Sequence, residues 1–340
     1  MHKTEAKNDE FVAVRTQILD VVIIEKLVRP LAAFIPRSIT PNQITMVTPV
    51  LTTLCFVAAA LAPRAETKNQ ALMYGILAAI FCVGSMITDH LDGMHARDTG
   101  QSSKLGEILD HWVDSYSVTL LVMAFPVSMG ATGLLVSLGV TTGAMVYHTQ
   151  LLVYRETGTF VYPPSGGAAS AILLAGGLIV VALILRFAPP EGLIDKYFVD
   201  GAVALMSLGN LMNVAYYWRL LRRDKKLSLP FLAAYGVVAL LYGLELLSFW
   251  PTALLWSSLS FRMSGSLVLF TVSKIPYRGF DALLLVLLGL SLAVGGLGMF
   301  GFVPPSWTEW SAILVALYAV LWNVAEFRRF ALVRSEVSVS

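Results

Sequence analysis

The sequence predicts an all-α polytopic membrane protein with about ten transmembrane helices and an N-terminal interfacial amphipathic helix. Apolar residues make up 56% of the 340 residues and charged residues only 14%, and the mean hydropathy is +0.72. One soluble core cannot hide so much apolar surface. Many apolar runs reach the roughly 20 residues needed to cross the hydrocarbon layer. Lys and Arg are concentrated in alternate loops, as in multi-pass proteins.

The first 40 residues predict a cytoplasmic segment that lies on the membrane rather than a cleavable signal peptide. The stretch 1–10 is polar, and charged residues interrupt the apolar run that follows it. Apolar residues recur at helical spacing, which favours a helix in the interface plane: Phe11, Val14, Ile18 and Val21 or Val22. A plain surface helix packed on the protein fits the pattern equally well.

Prolines define where this helix should end and where the next should begin. Pro30 and Pro36 are expected to end the surface helix. Thr40 and Pro41 predict a new helix, with threonine as its N-cap and proline at its first position.

Ten apolar runs follow as predicted spans. Because ten is even, both termini should lie on one side of the membrane. Nineteen of the 24 Lys and Arg residues fall on that side, which predicts that it is the cytoplasm. The predicted spans are 42–62, 71–90, 105–128, 132–153, 167–187, 198–219, 229–248, 252–273, 281–303 and 307–326.

Carboxylates are concentrated in one stretch, DHLDGMHARDTGQSSKLGEILDHWVD, at residues 89–114. Asp89 and Asp92 are three residues apart, and Asp110 and Asp114 are four apart, so each pair shares one face of a helix. Ionised Asp is costly near a bilayer and is kept mainly where it faces a cavity, a metal or a partner. The chemistry of the protein is therefore expected here.

This spacing, D-x2-D-G-x2-A-R-x8-G-x3-D-x3-D, resembles the signature of the CDP-alcohol phosphotransferases at all eight fixed positions. The intervening residues resemble the choline/ethanolamine branch, notably Glu107, His111 and Ser115. His148 and Gln150, followed by the stretch 157–160 (TGTF), are similar to a second segment of that branch. The chain departs from the branch at Tyr162 and the three residues after it, where an acidic residue is expected, and at Met94 and Asp98, which replace basic residues.

The resemblance implies the site. Carboxylates cannot bind a diphosphate directly, so a cluster of four implies bridging cations, expected to be two Mg²⁺ or Mn²⁺ ions. The implied metal ligands are Asp89, Asp92 and Asp110, with Asp114 helping. The implied contacts on the nucleotide side are Gly93, Ala96, Arg97 and Gly106, with Asn42 and Thr45 facing the same pocket.

Two residues compete for the role of general base. Asp114 matches the base proposed in the family and ranks slightly first. His111 is adjacent to an implied metal ligand and has an imidazole that titrates near neutral pH. A third possibility is that His111 only orients a carboxylate. His90 and His95 are expected to be loop or surface residues.

The expected reaction transfers phosphoethanolamine or phosphocholine from the CDP-alcohol to diacylglycerol and releases CMP, as a step of phospholipid synthesis. The same chemistry with ceramide, or with a CDP-lipid and a small polar alcohol, is a close alternative. A second alternative is an ion or metal transporter, because clustered intramembrane carboxylates are also typical of that class. The expected partners are membrane lipids and a second copy of the chain in a homodimer, and no nucleic acid.

The expected organisation has three parts: residues 1–40 as the cytoplasmic segment, 41–220 as a six-helix catalytic core, and 221–340 as additional helices and a tail. The site should face the cytoplasm, in the plasma membrane or the endoplasmic reticulum. His148 and Gln150 should either line an entrance for substrate or form bonds between helices. Arg262, within a late span, is expected to pair with Glu245.

Overall fold

A computed structural model describes residues 18–162, 167–187, 196–273, 277 and 281–337. The chain is helical over these ranges, with no strand among them. The all-α fold class is confirmed. Ten long helices lie close to the ten predicted spans: α4 Val47–Leu61, α5 Lys68–Thr99, α6 Lys104–Ser128, α7 Leu134–Thr157, α8 Ala168–Phe187, α9 Lys196–Leu220, α10 Ser228–Gly243, α11 Phe249–Ser273, α12 Ala282–Met299 and α13 Pro305–Val337.

Eight helical segments among the described residues are long and apolar enough to cross a membrane. The eight include every long helix except α6 and α7. Both have sufficient length, but α6 carries Glu107, Asp110 and Asp114, and α7 carries His148 and Gln150. The chain is therefore a multi-pass membrane protein, and the two long helices outside this set carry buried or partly buried polar side chains.

The N-terminal segment is helical from its first described residue. Short helices α1 (Ile18–Ile23) and α2 (Arg29–Ala32) are joined by a π-helical turn, and Phe11 and Val14 lie outside the described residues. The prediction that Pro30 ends this helix is wrong. A proline lacks a backbone N–H and crowds the preceding turn, and the wider π turn just before it relieves that conflict.

Asp20 anchors this segment to the rest of the molecule. Its side chain is buried, and its two carboxylate oxygens accept hydrogen bonds from the backbone N–H groups of Gly167 and Ala169, at 3.0 and 2.8 Å. Asp20 thereby caps the start of α8, where backbone donors have no partner within the helix. The exposed side chains of Val21 and Val22 leave an apolar face outward.

The predicted start at Thr40 is confirmed. Thr40 and Gln43 form a reciprocal capping box that opens the short helix α3 (Pro41–Thr45), with Pro41 at its first position. The end predicted for the next span is wrong: α5 does not stop near residue 90 but runs to Thr99. Polar residues of the motif are compatible with a helix, and Gly100 ends it in a left-handed conformation with φ of 70°.

Helix packing places α6 at the centre of the molecule. It contacts α4, α7 and α11, while α5 lies between α4 and α8. The contact with α11 is close because the Trp112 indole lies directly over Gly265 and stacks on Phe261, with ring centroids 5.1 Å apart. Phe327 of α13 packs on the same indole at 4.8 Å. The late helices therefore brace α6 between Asp110 and Asp114.

Arg262 is fully buried in α11, and its partner differs from the expected one. It forms an ion pair with Asp281, at the start of α12, rather than with Glu245. Its guanidinium also lies over the rings of Trp322 and Tyr318, 4.0 and 4.9 Å from their centroids. The sequence could not indicate Asp281, because the partner of a buried charge depends on how α11 and α12 pack together.

Asp281→Asn is expected to lower the stability of the protein by about 1–3 kcal/mol, because it leaves the Arg262 charge buried without its carboxylate; partial exposure of Asp281 limits the effect. Thermal unfolding in detergent measures this. The double variant Arg262→Met/Asp281→Asn should recover most of the loss, since no isolated charge remains. Equal melting temperatures for the wild type and Asp281→Asn would contradict the prediction.

Candidate active site

The carboxylates of the motif converge where α5 and α6 face each other. Oxygen atoms of Asp89, Asp110 and Asp114 all lie within 4.8 Å of one another, and all three side chains are partly exposed. Asp89 comes from α5, and the other two come from successive turns of α6. Three oxygen ligands at this separation could hold one divalent cation.

Asp92 lies beside this triad, but its carboxylate is held separately. The Thr45 hydroxyl lies 2.5 Å from its Oδ2, and the backbone N–H of Gly93 donates to its Oδ1. Thr45 itself is buried and lies 3.1 Å from the Pro41 carbonyl. The short helix α3 therefore fixes the orientation of Asp92, which explains why a threonine outside the main motif belongs to the site.

The glycines of the motif make room for polar side chains. A Cβ at Gly93 would lie 3.3 Å from an Arg97 guanidinium nitrogen, so this exposed side chain folds back along α5. A Cβ at Gly106 would lie 3.3 Å from the Asn42 side-chain oxygen. Ala96, partly buried, lies one residue before Arg97 on α5. The structure thus brings Asn42 and Gly106, 64 positions apart in the sequence, together at the rim of the site.

His111 lies behind the carboxylates rather than among them. Its ring is buried and stacks on Phe160, with centroids 4.8 Å apart and planes 14° apart. Its backbone carbonyl accepts a hydrogen bond from the Tyr147 hydroxyl at 2.9 Å, and that hydroxyl also lies 3.4 Å from an Asp114 oxygen. The His111 Nδ1 is buried and has no hydrogen-bond partner among the described residues.

The segment after α7 folds back against the site. The Val161 carbonyl accepts hydrogen bonds from Gln150 at 3.0 Å and from Tyr217 at 2.8 Å. These bonds hold Phe160 on His111, and Tyr162 packs edge to face on Phe160. Burial raises the pKa of the Tyr162 phenol, and the negative charges of Asp89 and Asp114 raise it further. The phenol is therefore protonated at neutral pH.

The three other described histidines have structural contacts. His95 is not a surface residue: it is buried, and its Nε2 lies 2.8 Å from the Ile39 carbonyl oxygen. His90 is partly buried, with its Nδ1 2.9 Å from the Met86 carbonyl oxygen. His148 forms the interhelical bond that was one of its two expected roles, with Nδ1 3.2 Å from the Ser264 hydroxyl.

Several contacts around the site were not evident from the sequence. Tyr154 donates a hydrogen bond to Glu107, Tyr147 contacts Asp114, and Trp112 packs on Gly265. In an apolar helix, an aromatic residue near the site cannot be told from an aromatic residue of the hydrophobic core by its sequence pattern. The sequence therefore gives no signal for these tyrosines. The TGTF stretch is a partial signal, because Phe160 in it is the ring that covers His111.

Hard carboxylate oxygens are the ligands that Mg²⁺ and Mn²⁺ prefer, and the triad is accessible enough to admit such an ion. The donor set therefore fits the divalent cations that the sequence predicts. Fold and site together define a multi-pass membrane protein with a carboxylate-lined site between two inner helices, suited to metal-assisted chemistry on a phosphate.

The family model described as CDP-alcohol phosphatidyltransferase matches residues 38–221, more than half of the chain. The protein belongs to this family, whose members are transferases that move a phospho-alcohol from a CDP-alcohol to an acceptor. The match includes the carboxylate motif, α3 and the segment from Gly158 to Tyr162. A search of curated proteins gave no match.

Proposed function

We propose that this protein transfers phosphoethanolamine or phosphocholine from a CDP-alcohol to the hydroxyl of a membrane lipid, diacylglycerol first among the candidates, and releases CMP. The observation that carries the proposal is the convergence of Asp89, Asp110 and Asp114 between α5 and α6, inside the matched region. The similarity of Glu107, His111 and the TGTF stretch to the choline/ethanolamine branch supports the choice of donor.

Different side chains bind the metal ions, the phosphates and the nucleotide in this proposal. Asp89, Asp110 and Asp114, with Asp92 beside them, would hold two Mg²⁺ or Mn²⁺ ions, which neutralise the diphosphate and stabilise the leaving phosphate when bound. Arg97 is exposed at the rim and suits a phosphate. Asn42 lies against Gly106, and the small residues Gly93, Ala96 and Gly106 leave room for the nucleotide.

The reaction needs only one group transfer. The acceptor hydroxyl oxygen attacks the phosphorus that carries the alcohol headgroup, the bond from that phosphorus to the bridging oxygen breaks, and CMP leaves. The proton of the acceptor hydroxyl passes to a base. We assign this role to Asp114, because the Tyr147 hydroxyl, 3.4 Å from an Asp114 oxygen, holds it in place. His111 stays the alternative.

The substitution His111→Gln tests whether Asp114 or His111 is the general base. If Asp114 is the base, we expect a loss of less than about tenfold in kcat with an unchanged pH profile, because the buried His111 ring then serves mainly as packing for Phe160. If His111 were the base, kcat would fall by roughly 10²–10⁴ and the acidic limb of the profile would change. The second outcome would transfer the role to His111.

The reaction itself is tested with purified protein, diacylglycerol and Mg²⁺ or Mn²⁺, by measuring CMP and lipid product from CDP-ethanolamine and CDP-choline separately. Product from either donor supports the proposal, and the two rates show which headgroup is preferred. Release of CMP with lipid product only when ceramide is the acceptor would change the proposed acceptor and keep the chemistry. The same result only with a CDP-lipid and a small alcohol would change the proposed donor and acceptor and keep the chemistry. Metal flux into vesicles without CMP release would contradict it.

We also propose that the protein acts as a homodimer in the plasma membrane or endoplasmic reticulum, with its site toward the cytoplasm. The excess of Lys and Arg on the side of the termini supports this orientation. We further propose that the chain is organised as a cytoplasmic segment 1–40, a catalytic core 41–220 and additional helices with a tail 221–340. Labelling of single cysteines from either side of sealed vesicles tests the orientation, and crosslinking in membranes tests the dimer.

A further inference from the structure

We propose that Thr48 of α4 is a positioning residue for the metal site. Its hydroxyl forms a hydrogen bond with Thr88 of α5, and this bond sets the place of the α5 carboxylate of the triad relative to the two carboxylates of α6. The inference rests on the metal site of the proposed function. Thr48 lies outside the carboxylate motif, and the resemblance assigns it no role.

The separation of the two helices that carry the triad depends on α4. Asp89 lies on α5, whereas Asp110 and Asp114 lie on α6. These two helices make few direct contacts with each other, but α4 packs closely along both. Because Mg²⁺ demands near-ideal octahedral geometry, a helix that holds α5 and α6 at a fixed separation also controls how well the triad can bind the ion.

The contacts of α3 and α4 with α5 form a continuous antiparallel seam. The Thr45 hydroxyl bonds Asp92, and the Thr48 hydroxyl lies 2.8 Å from the Thr88 hydroxyl. One turn further along the seam, a Cβ at Gly84 would lie 3.3 Å from a leucine methyl group of α4. Residue numbers rise along α4 as they fall along α5. Thr48 is therefore level with Thr88, and the next residue of α5 is the aspartate of the triad.

The contacts of α3 and α4 with α6 are also in register. Asn42 lies against Gly106, and the Tyr116 hydroxyl lies 2.9 Å from the Thr53 hydroxyl. The step from 42 to 53 is eleven residues and the step from 106 to 116 is ten, so the two segments run in parallel and nearly in step. By this register, Thr48 is level with the turn of α6 between its two carboxylates.

The hydroxyl hydrogens in the bond between Thr48 and Thr88 can be assigned. The Thr88 hydroxyl donates to the Ser85 carbonyl at 3.0 Å. It therefore accepts in the bond between the helices, and Thr48 donates. Thr48 is buried, so water does not compete for this bond. Loss of the Thr48 hydroxyl would remove the bond and leave no donor on Thr88 without a partner, so the fold is kept while α5 is held less firmly.

Calorimetric titration of Mg²⁺ or Mn²⁺ into the full-length protein, without CDP-alcohol, tests this role in Thr48→Val. Valine keeps the β-branched shape and removes the hydroxyl. The dissociation constant of the metal should rise by roughly tenfold, as for other groups that orient metal ligands. Thr48→Ser, which restores the donor, should bind the metal as the wild type does. Release of CMP by Thr48→Val should fall at low metal concentration and recover at high metal concentration.

Thr52→Val is the matched control. It is the same change on the same helix, and Thr52 is also buried. Among the described residues, however, its hydroxyl bonds the Thr48 carbonyl of its own helix, at 2.9 Å, and reaches neither α5 nor α6. Thr52→Val should therefore leave the metal affinity at the wild-type value. The two valine variants should melt at the same temperature without added metal, which separates positioning from stability.

A wild-type metal affinity in Thr48→Val would overturn the inference and leave the proposed function intact. An equal loss of affinity in Thr52→Val would also overturn it, because α4 would then act through its general packing. If the wild type releases no CMP while Thr48→Val still binds metal more weakly than the wild type and Thr52→Val, the proposed function fails and the positioning role stands. The two failures are therefore distinguishable.

Discussion

Asp110→Asn is expected to reduce transfer by about 10²–10³-fold or more, the largest effect of any substitution considered for this chain. Oxygen atoms of Asp110, Asp89 and Asp114 lie within 4.8 Å of one another, so an amide at residue 110 removes a negative oxygen from two of the three pairings in the triad. Release of CMP measures the loss. Mg²⁺ or Mn²⁺ binding by calorimetry should weaken in parallel.

Asp98→Asn is the matched control for this change. It is an aspartate of α5, the other helix of the site, but its side chain is exposed and lies outside the triad. The same change of charge there should leave CMP release within about twofold of the wild type. Full activity of Asp110→Asn, with normal metal dependence, would show that the triad is not the reacting centre.

Gly265→Ala is expected to destabilise the protein by about 1–3 kcal/mol and to lower activity by roughly tenfold or more, although residue 265 lies on a helix outside the matched region. A Cβ at this position would overlap the Trp112 indole, far inside any real nonbonded distance. The indole cannot swing away because Phe261 and Phe327 pack on it. The strain therefore passes to α6 between Asp110 and Asp114.

Two further variants isolate this effect. Gly289→Ala, on α12, adds the same methyl group where no atom lies within 4 Å, and it should leave melting temperature and activity at wild-type values. Combining Gly265→Ala with Trp112→Leu should restore part of the lost activity by returning space beside α6. Wild-type activity of Gly265→Ala alone would mean that the late helices do not position the catalytic helix.

The sequence predicted the helix positions well and several helix ends poorly. Apolar length is set by the thickness of the membrane, so each of the ten predicted runs overlaps one long helix. Helix ends depend on competing local effects instead. The motif near residue 90 looked like a loop because it is polar, but α5 continues to Thr99 since polar side chains facing a site do not break a helix. Pro30 was tolerated because a π turn precedes it.

For the candidate site, too, the sequence predicted the features that depend on local spacing and not the contacts between distant segments. Spacings of three and four residues placed two carboxylates on one face of each of two helices, because helical periodicity is a local property. Thr45 and Asn42 were named only through resemblance to a family. Their contacts with Asp92 and Gly106 depend on how the short helix α3 docks against α5 and α6.

The sequence by itself thus determined that this is a multi-pass membrane protein of all-α class, and it predicted the carboxylates that the structure brings together in the candidate site. Only the tertiary structure decided that Asp281 partners Arg262, that Asp20 caps α8, and that Trp112 packs between α6 and α11 against Gly265. The physical reason is that composition and periodicity are properties of consecutive residues. The partner of a buried charge, the side chain that caps a helix end and the ring that packs over a glycine all come from distant parts of the sequence. Tertiary packing decides which of these residues lie close together.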